Sequence, residues 1–237
     1  TTEIYTLSLH DALPICGIFH HRHTGRPYVL AKWAMTADGL IAPPDRTQGP
    51  ISCPEGFALL HQLRHFVDGV MIGIGTALND NPRLDCRYAG FRHPVRVLVD
   101  PKLRIRPDMN IANPDAERRS LVLHGPSVDV SKQELLASRG VELAKLPVNE
   151  SGRFAVADIL EALVKHNILT VLLEGGAGLH GEFFDARAVD EYHILVAPMV
   201  MGGSNSLPPV GGRGTGSIER AVELAGVKHR TVGTDQI

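Results

Sequence analysis

The chain has 237 residues, a formal net charge of −2, and 43% hydrophobic against 21% charged residues. That length supports one large domain or two small ones with an ample core, and the near-neutral charge argues against nucleic acid or an anionic membrane as the main partner. No apolar run approaches the ~20 residues that a membrane helix needs. Cys16, Cys53 and Cys86 form no close pair, so neither a disulfide framework nor a zinc site is expected and a reducing cytoplasm fits.

Thr1 to Ile15, TTEIYTLSLHDALPI, reads codon by codon as the in-frame translation of a common sequencing adapter and is set apart from fold reasoning. The biological chain is then expected to begin mid-gene, near Cys16. Cys16 to Arg26 reads as a basic, His-rich connector closed by Gly25-Arg26-Pro27. His20, His21 and His23 cluster in it, but with no cysteine or second ligand pair nearby no metal site is expected. Tyr28 to Met35 predicts the first core strand. Lys32 stands out there, because lysine is seldom buried without a partner. Thr36 to Gly39 turns, and Pro43-Pro44 forces an irregular loop lasting to Pro50.

Ser52-Cys53-Pro54-Glu55 has the form of a capping box with proline in the tolerant first turn. The helix it starts, to about Val67, is expected to bury Phe57, Leu60, Leu63 and Val67 along one stripe. Arg64 borders that stripe, and an arginine facing partly inward needs an anion, either a carboxylate or a ligand phosphate. Val70 to Gly75 predicts a second buried strand whose glycines let a backbone or ligand approach. Thr76 is positioned to cap a helical turn from Ala77 to Asp80, which Asn81-Pro82 stops. Arg83, Leu84 and Arg87 follow in an extended segment.

Val95 to Asp100 and Ser120 to His124 predict strands, with Leu103 to Ala116 irregular between them. Ser131 to Ser138 suggests a helix, Val141 to Leu146 a strand and Val156 to Lys165 another helix. Alternating β and α elements imply an α/β fold, a mainly parallel sheet covered on both faces. The stretch Thr170 to Phe184 organises the whole: a buried strand, the turn Gly175-Gly176-Ala177-Gly178, then a helix start. Such a turn aims backbone N–H groups and a helix N-terminus at one point, where an anion can sit. Glu174 ends the strand, where open α/β sheets keep their sites, and is read as facing the reacting group. Gly176, Gly178 and Gly181 also satisfy G-x-G-x-x-G. A Rossmann unit, however, wants an acid about 20 residues further on, whereas Asp190 and Glu191 come early and open the next strand, Glu191 to Ala197. The turn therefore reads as a phosphate cradle outside a Rossmann unit. Met199 to Gly216 is a long loop, Leu224 to Val232 a late strand, and the chain stops at Asp235 to Ile237 as a last strand begins.

Taken together, several stretches resemble the reductase domain of the riboflavin-biosynthesis deaminase/reductase family, which has a dihydrofolate-reductase-like fold. Lys32 to Ala42 is similar to its first strand and turn, and Val70 to Arg87, with MIGIGTALNDNPRLDCR at its core, to its most specific block. Val95 to Arg106 and Val171 to Gly202 match as well. Gly17 to Pro27 is similar to the junction that follows a zinc deaminase domain in bacterial members, although no H-x-E with P-C-x-x-C signature is present. The resemblance implies a reductase domain over residues 27–237, cut at its C-terminus, with 16–26 as linker from a missing deaminase. It implies a cytoplasmic homodimer that uses NADPH to reduce a phosphoribosylaminopyrimidine to its ribitylamino form.

By position, the resemblance puts Arg64, Leu84 and Arg87 on the substrate, the arginines at its 5′-phosphate. Met35, Thr76, Asp80 and the run Gly176, Ala177, Gly178, Leu179, His180, Gly181 and Glu182 would line the cofactor. Lys32 and Glu174 would act at the sugar, handling the proton that accompanies hydride delivery. The family's Ser-x-Trp before the capped helix is replaced here by Gln48-Gly49-Pro50, its frequent serine by Pro101, and a commonly basic position by Leu40. Two other readings stay open: a dihydrofolate-reductase-like enzyme on another substrate such as a pterin, and an inactive nucleotide-binding fragment.

Overall fold

The computed structural model describes residues 9–47, 49–88 and 90–237, leaving out the side chains of 9–12 and 14. Gln48 and the first eight residues therefore lie outside the described residues. In chain order the elements are α1 (Leu9–Thr24), β1 (Tyr28–Thr36), α2 (Pro54–Phe66), β2 (Gly69–Gly73), α3 (Ile74–Asp80), β3 (Val95–Val99) and β4 (Ser120–His124). Then come α4 (Val130–Ser138), β5 (Glu142–Lys145), α5 (Val156–Lys165), β6 (Thr170–Leu173), α6 (Ala177–Asp185), β7 (Glu191–Ala197), β8 (Thr231–Val232) and β9 (Asp235–Gln236). They build one sheet in the order β5-β4-β3-β2-β6-β1-β7-β9-β8. From β5 to β7 across that order every pairing is parallel, while β9 joins β7 and β8 antiparallel.

A parallel sheet is apolar on both sides because helices cover both, which is why its strands read as continuous Val and Leu runs. In β4 and β6 every residue is buried. Alternation along the strands divides the core in two. Leu30, Val70, Ile72, Leu98, Val122 and Leu172 face the side covered by α2 (Leu59, Leu60, Leu63) and α4 (Leu136). Val29, Ala31, Met71, Val97, Leu121 and Leu173 face α5 (Ile159, Leu163) and α6 (Leu179, Phe183). Between them runs β6, inserted beside β1 and β2, so the C-terminal ends of these strands meet mid-sheet, with crossovers leaving on opposite faces. That is where an open α/β sheet leaves a crevice.

The structure corrects several expectations. The segment read as a connector is helical: α1 continues to Thr24 and begins within the stretch set apart as adapter-derived, and Leu13 is only 2% exposed in the α2-side core. Phe57 is 42% exposed, whereas Leu60, Leu63 and Val67 are buried as expected, joined by Leu59 and Arg64. Cys53 caps α2, its Sγ accepting from the Gly56 N–H, so the cap falls one residue later than the Ser52 box implies. Ile74 and Gly75 belong to α3. Within the predicted late strand only Thr231–Val232 is extended into the sheet, preceded by a short 3-10 turn at Ile218–Arg220 and open loop. The reason is compositional: Gly226 takes a left-handed φ of 65°, breaking the run.

One buried cation was not foreseen. Arg96 on β3 is fully enclosed and donates to the carbonyls of Asn110, Asn113, Arg118 and Arg119. Burial, with help from nearby Arg118, pushes its guanidinium down to about 10. Four carbonyls replace the water it loses, and the β3–β4 connection is tied down in return.

Candidate active site

The register explains how the central charges meet. Ala31 on β1 pairs with Leu173 on β6, so the next residues, Lys32 and Glu174, stand side by side. Two-residue alternation then turns both away from the α6 face, since Ala31 and Leu173 belong to the α6-side core. They point to the face that α2 crosses. Arg64, beside Leu60 and Leu63 on α2, meets Glu174 there in a two-pronged pair: Nε to Oε1 at 2.8 Å and Nη2 to Oε2 at 2.7 Å. Both side chains are buried, 8% and 11% exposed. The remaining arginine prong donates to the Asp85 carbonyl at 2.9 Å. Of the partners open to Arg64 in the sequence, the structure supplies the carboxylate.

Such a fork is worth more than a point-charge contact, because both carboxylate oxygens are oriented. Burial alone would push the Glu174 carboxyl up, but the charge and hydrogen bonds of Arg64, then Lys32 and His61, hold it below the usual carboxylate range. Lys32 shifts the opposite way. Burial lowers its ammonium, Glu174 opposes that, Arg64 reinforces it, and Asp235 opposes it again, with a net depression. The outcome is a firmly ionised carboxylate beside a lysine that parts with its proton more readily than usual.

Asp235 is a member of this group that sequence reasoning missed. It is buried on β9, its Oδ2 accepting from the Cys53 N–H at 2.9 Å, and its Oδ1 has no hydrogen-bond partner among the described residues. Strand pairing across β7 brings it to the α2 face, a placement that an acid three residues from the end of the sequence does not announce. His61 was missed as well: its Nδ1 lies 3.1 Å from the Asp85 carbonyl, and burial, then Arg64, lowers its pKa.

The glycine turn lies on the other side of the β6 end. Gly176 is the N-cap of α6 and donates to Thr76 Oγ1 on α3 at 3.0 Å, so Thr76 ties the two helix starts together and does not cap its own helix. Among the described residues no side chain caps α6, which leaves its first-turn N–H groups open to an anion. A Cβ on Gly178 would meet open space, whereas one on Gly181 would overlap the backbone of Gly211. The glycines thus divide their work: Gly178 keeps the outer surface low, and Gly181 lets the 199–216 loop pack on α6, where Gly211 donates to the Ala177 carbonyl at 2.8 Å.

The other expected site residues distribute as follows. Met35 is half-buried near the end of β1 on the α6 side, and Asp80 is exposed at the end of α3. Leu179 packs in the core; His180 is buried, 3.1 Å from the Leu173 carbonyl and tilted against Trp33. What Leu179, His180 and Gly181 can offer a ligand is therefore backbone. Glu182 pairs with Arg153 at 3.2 Å, and burial, opposed by that arginine, raises its carboxyl. Leu84 is buried with a left-handed φ of 54°, uncommon for a branched side chain and held here by core packing. Arg87 is exposed, 3.6 Å from Asp85. Lys32, Arg64 and Glu174 are brought together; Thr76 joins Gly176; Arg87 stands apart, reaching the first group through Asp85.

A cofactor phosphate fits the turn on this structure's own terms: uncapped N–H groups, and open space where the Gly178 side chain would be. No helix among the described residues is long and apolar enough to cross a membrane.

Comparison with known proteins gives the family. The profile of the RibD C-terminal domain matches residues 27–237. The riboflavin biosynthesis protein RibD of Actinobacillus pleuropneumoniae is 35% identical over 226 residues, covering 95% of this chain and 59% of the relative. The 2,5-diamino-6-ribosylamino-4(3H)-pyrimidinone 5′-phosphate reductase of Methanothermobacter thermautotrophicus is 33% identical over 218 residues, covering 90% of this chain and 96% of the relative. Among solved structures, RibD of Acinetobacter baumannii superposes with a TM-score of 0.78 at 23% identity, over 93% of this chain and 59% of that one. The chain thus spans a little over half the length of its RibD relatives and nearly the whole of the archaeal reductase. With its mainly parallel α/β sheet, the chain belongs to the RibD C-terminal domain family.

Proposed function

We propose that this chain reduces a phosphoribosylaminopyrimidine 5′-phosphate to the ribitylamino phosphate, with NADPH as reductant. The observation that carries the reading is the pairing of Lys32 with the Arg64-clamped Glu174 on one side of the β1–β6 ends, and an uncapped helix N-terminus on the other. The name of the archaeal relative, which matches at almost full length, supports the substrate class.

NADPH, when bound, supplies the hydride. The chain's own residues do the rest. The first turn of α6 holds a phosphate by backbone N–H groups. Arg64 fixes Glu174 in one orientation, so its carboxylate can accept hydrogen bonds from the sugar hydroxyls. Lys32 stands beside it with a depressed pKa and donates the proton that the substrate nitrogen takes up when hydride reaches sugar C1′ in the ring-opened imine. The C=N bond becomes a single bond, carbon receiving the hydride and nitrogen the proton.

The protein is proposed to be cytoplasmic and to work as a homodimer, with a zinc deaminase domain preceding it in the full gene product. Exposed Met199, Val200, Ile218, Leu224 and Val227 in the 199–227 segment support a covered face there. Absorbance at 340 nm tests the activity: the chain should oxidise NADPH only when the phosphorylated pyrimidine is added. NADPH oxidation with dihydrofolate and not with the pyrimidine would favour the pterin enzyme instead.

A further inference from the structure

An open cavity of about 910 Å³ lies along the 83–93 loop, lined by Arg83, Arg87, Arg92 and Arg118 together with the carboxylates Asp85 and Glu117. Asp85 is its hub. Its buried carboxylate lies 2.9 Å from Arg83 Nε, 3.6 Å from Arg87 Nε and 3.7 Å from Arg118 Nη1. Asp115 already neutralises Arg118, which leaves Asp85 shared between Arg83 and Arg87, a surplus of one guanidinium, and Glu117 is exposed at the rim, 3.9 Å from His93. The uncompensated charge faces the cavity.

Arg118 reaches this place from the β3–β4 connection, far in sequence from the 83–87 block. Its backbone is braced from beneath, where Arg96 donates to the carbonyls of Arg118 at 3.0 Å and Arg119 at 3.4 Å. Asp115 takes its Nε at 2.8 Å and its Nη2, leaving Nη1 directed to Asp85 and the cavity. A guanidinium already held in this way loses little freedom on closing over an anion. The Asp85 carbonyl also accepts from Arg64, so a single residue separates the cavity from the Glu174 pair. A ligand with its sugar at the Glu174 pair would then extend its phosphate toward this cavity.

We propose that Arg118 is a further phosphate-gripping residue, acting with Arg87 and Arg83 in a fan that Asp85 holds in place. The ligand group is a phosphomonoester dianion, and the proposal rests on the reading above that the substrate carries one.

Ribose 5-phosphate, titrated calorimetrically into the full chain, is the probe. Arg118→Gln should weaken its binding by about tenfold or more, the loss of one hydrogen bond to a charged group. Arg118→Lys, which keeps charge without the fork, should fall between. Arg119→Gln, whose guanidinium pairs with Glu142 at 2.9 Å, should bind as the unsubstituted chain does. Asp85→Asn makes the cavity more positive, yet should weaken binding several-fold because the fan opens. In turnover, Arg118→Gln should raise KM and leave kcat unchanged. Unaltered binding in Arg118→Gln, an equal loss in Arg119→Gln, or tighter binding in Asp85→Asn would overturn the assignment. If Arg87→Gln weakens binding and Arg118→Gln does not, only this assignment fails. If the unsubstituted chain has no affinity for ribose 5-phosphate, the phosphorylated-substrate reading fails with it.

Discussion

Glu174 and Arg64 constrain each other so closely that neither can be altered alone. Removing one partner of a buried ion pair strands the other, at a cost of ~3–5 kcal/mol. Glu174→Gln is therefore expected to lose about that much stability at pH 7, read by urea unfolding, as well as activity. The sign with pH follows from the direction of the shift. Glu174 has a folded-state pKa below its ordinary value, so its contribution is complete above the ordinary carboxylate range and is lost as pH falls through the folded value. The gap between the two proteins should be constant near neutrality and close only in acid, below about pH 4. Equal stability at pH 7 would contradict the pair. Lys32→Met should lower kcat by roughly a hundredfold or more while NADPH affinity holds. Because the Lys32 pKa is depressed, the basic limb of the kcat profile should lie below the ordinary lysine range. A limb at or above that range would remove Lys32 from the proton transfer. Arg64 and Lys32 were legible as misfits in apolar surroundings. Glu174 was legible as a site residue and, through the resemblance, as a companion of Lys32; its grip by Arg64 was not, because only the α2 crossing brings the two together.

Among the elements, α6 offers the cleanest separation of packing from binding. Gly178 faces open space, so Gly178→Ala should leave the fold intact or gain up to ~1 kcal/mol from helix propensity. It should still weaken NADPH binding, by placing a methyl where the phosphate approaches. Gly181→Ala should do the reverse at first hand: it meets Gly211, so thermal stability should fall and the 199–216 loop should become protease-sensitive. If Gly178→Ala titrates with NADPH like the unsubstituted chain, the cofactor phosphate lies elsewhere. The strands and α5 were readable because Val, Leu and Ile runs between turn residues record burial directly. The G-x-G-x-x-G spacing could not reveal that its last glycine meets a loop thirty positions away, since a glycine admits a ligand and a backbone equally well. Thr76 was misread for a related reason: a hydroxyl near a helix start suits its own cap or a neighbour's N–H, and only the side-by-side starts of α3 and α6 decide.

For the molecule as a whole, the sheet order brings Lys32 and Glu174 together at the central strands β1 and β6, while α1 packs against those strands and α2, and the β8–β9 hairpin ends the sheet on one side. Leu13 shows the limit of sequence reading at this scale. A segment of adapter-like sequence gives no internal sign that a leucine in it occupies the core. Leu13→Ala is expected to cost ~2–5 kcal/mol, and a melting temperature unchanged by it would show that α1 does not pack as described. Asp235 makes the same point from the other end, since its burial depends on β9 reaching β7. The central claim is hydride transfer to the sugar carbon at the Lys32–Glu174 pair. It is tested most directly by turnover with NADPH deuterated at the nicotinamide C4, on the face from which hydride is lost, and mass analysis of the product. One deuterium at C1′ of the ribitylamino phosphate, absent from Lys32→Met and Glu174→Gln reactions over the same time, is the predicted result. A folded, NADPH-binding chain that leaves the pyrimidine unlabelled and unreduced would contradict it.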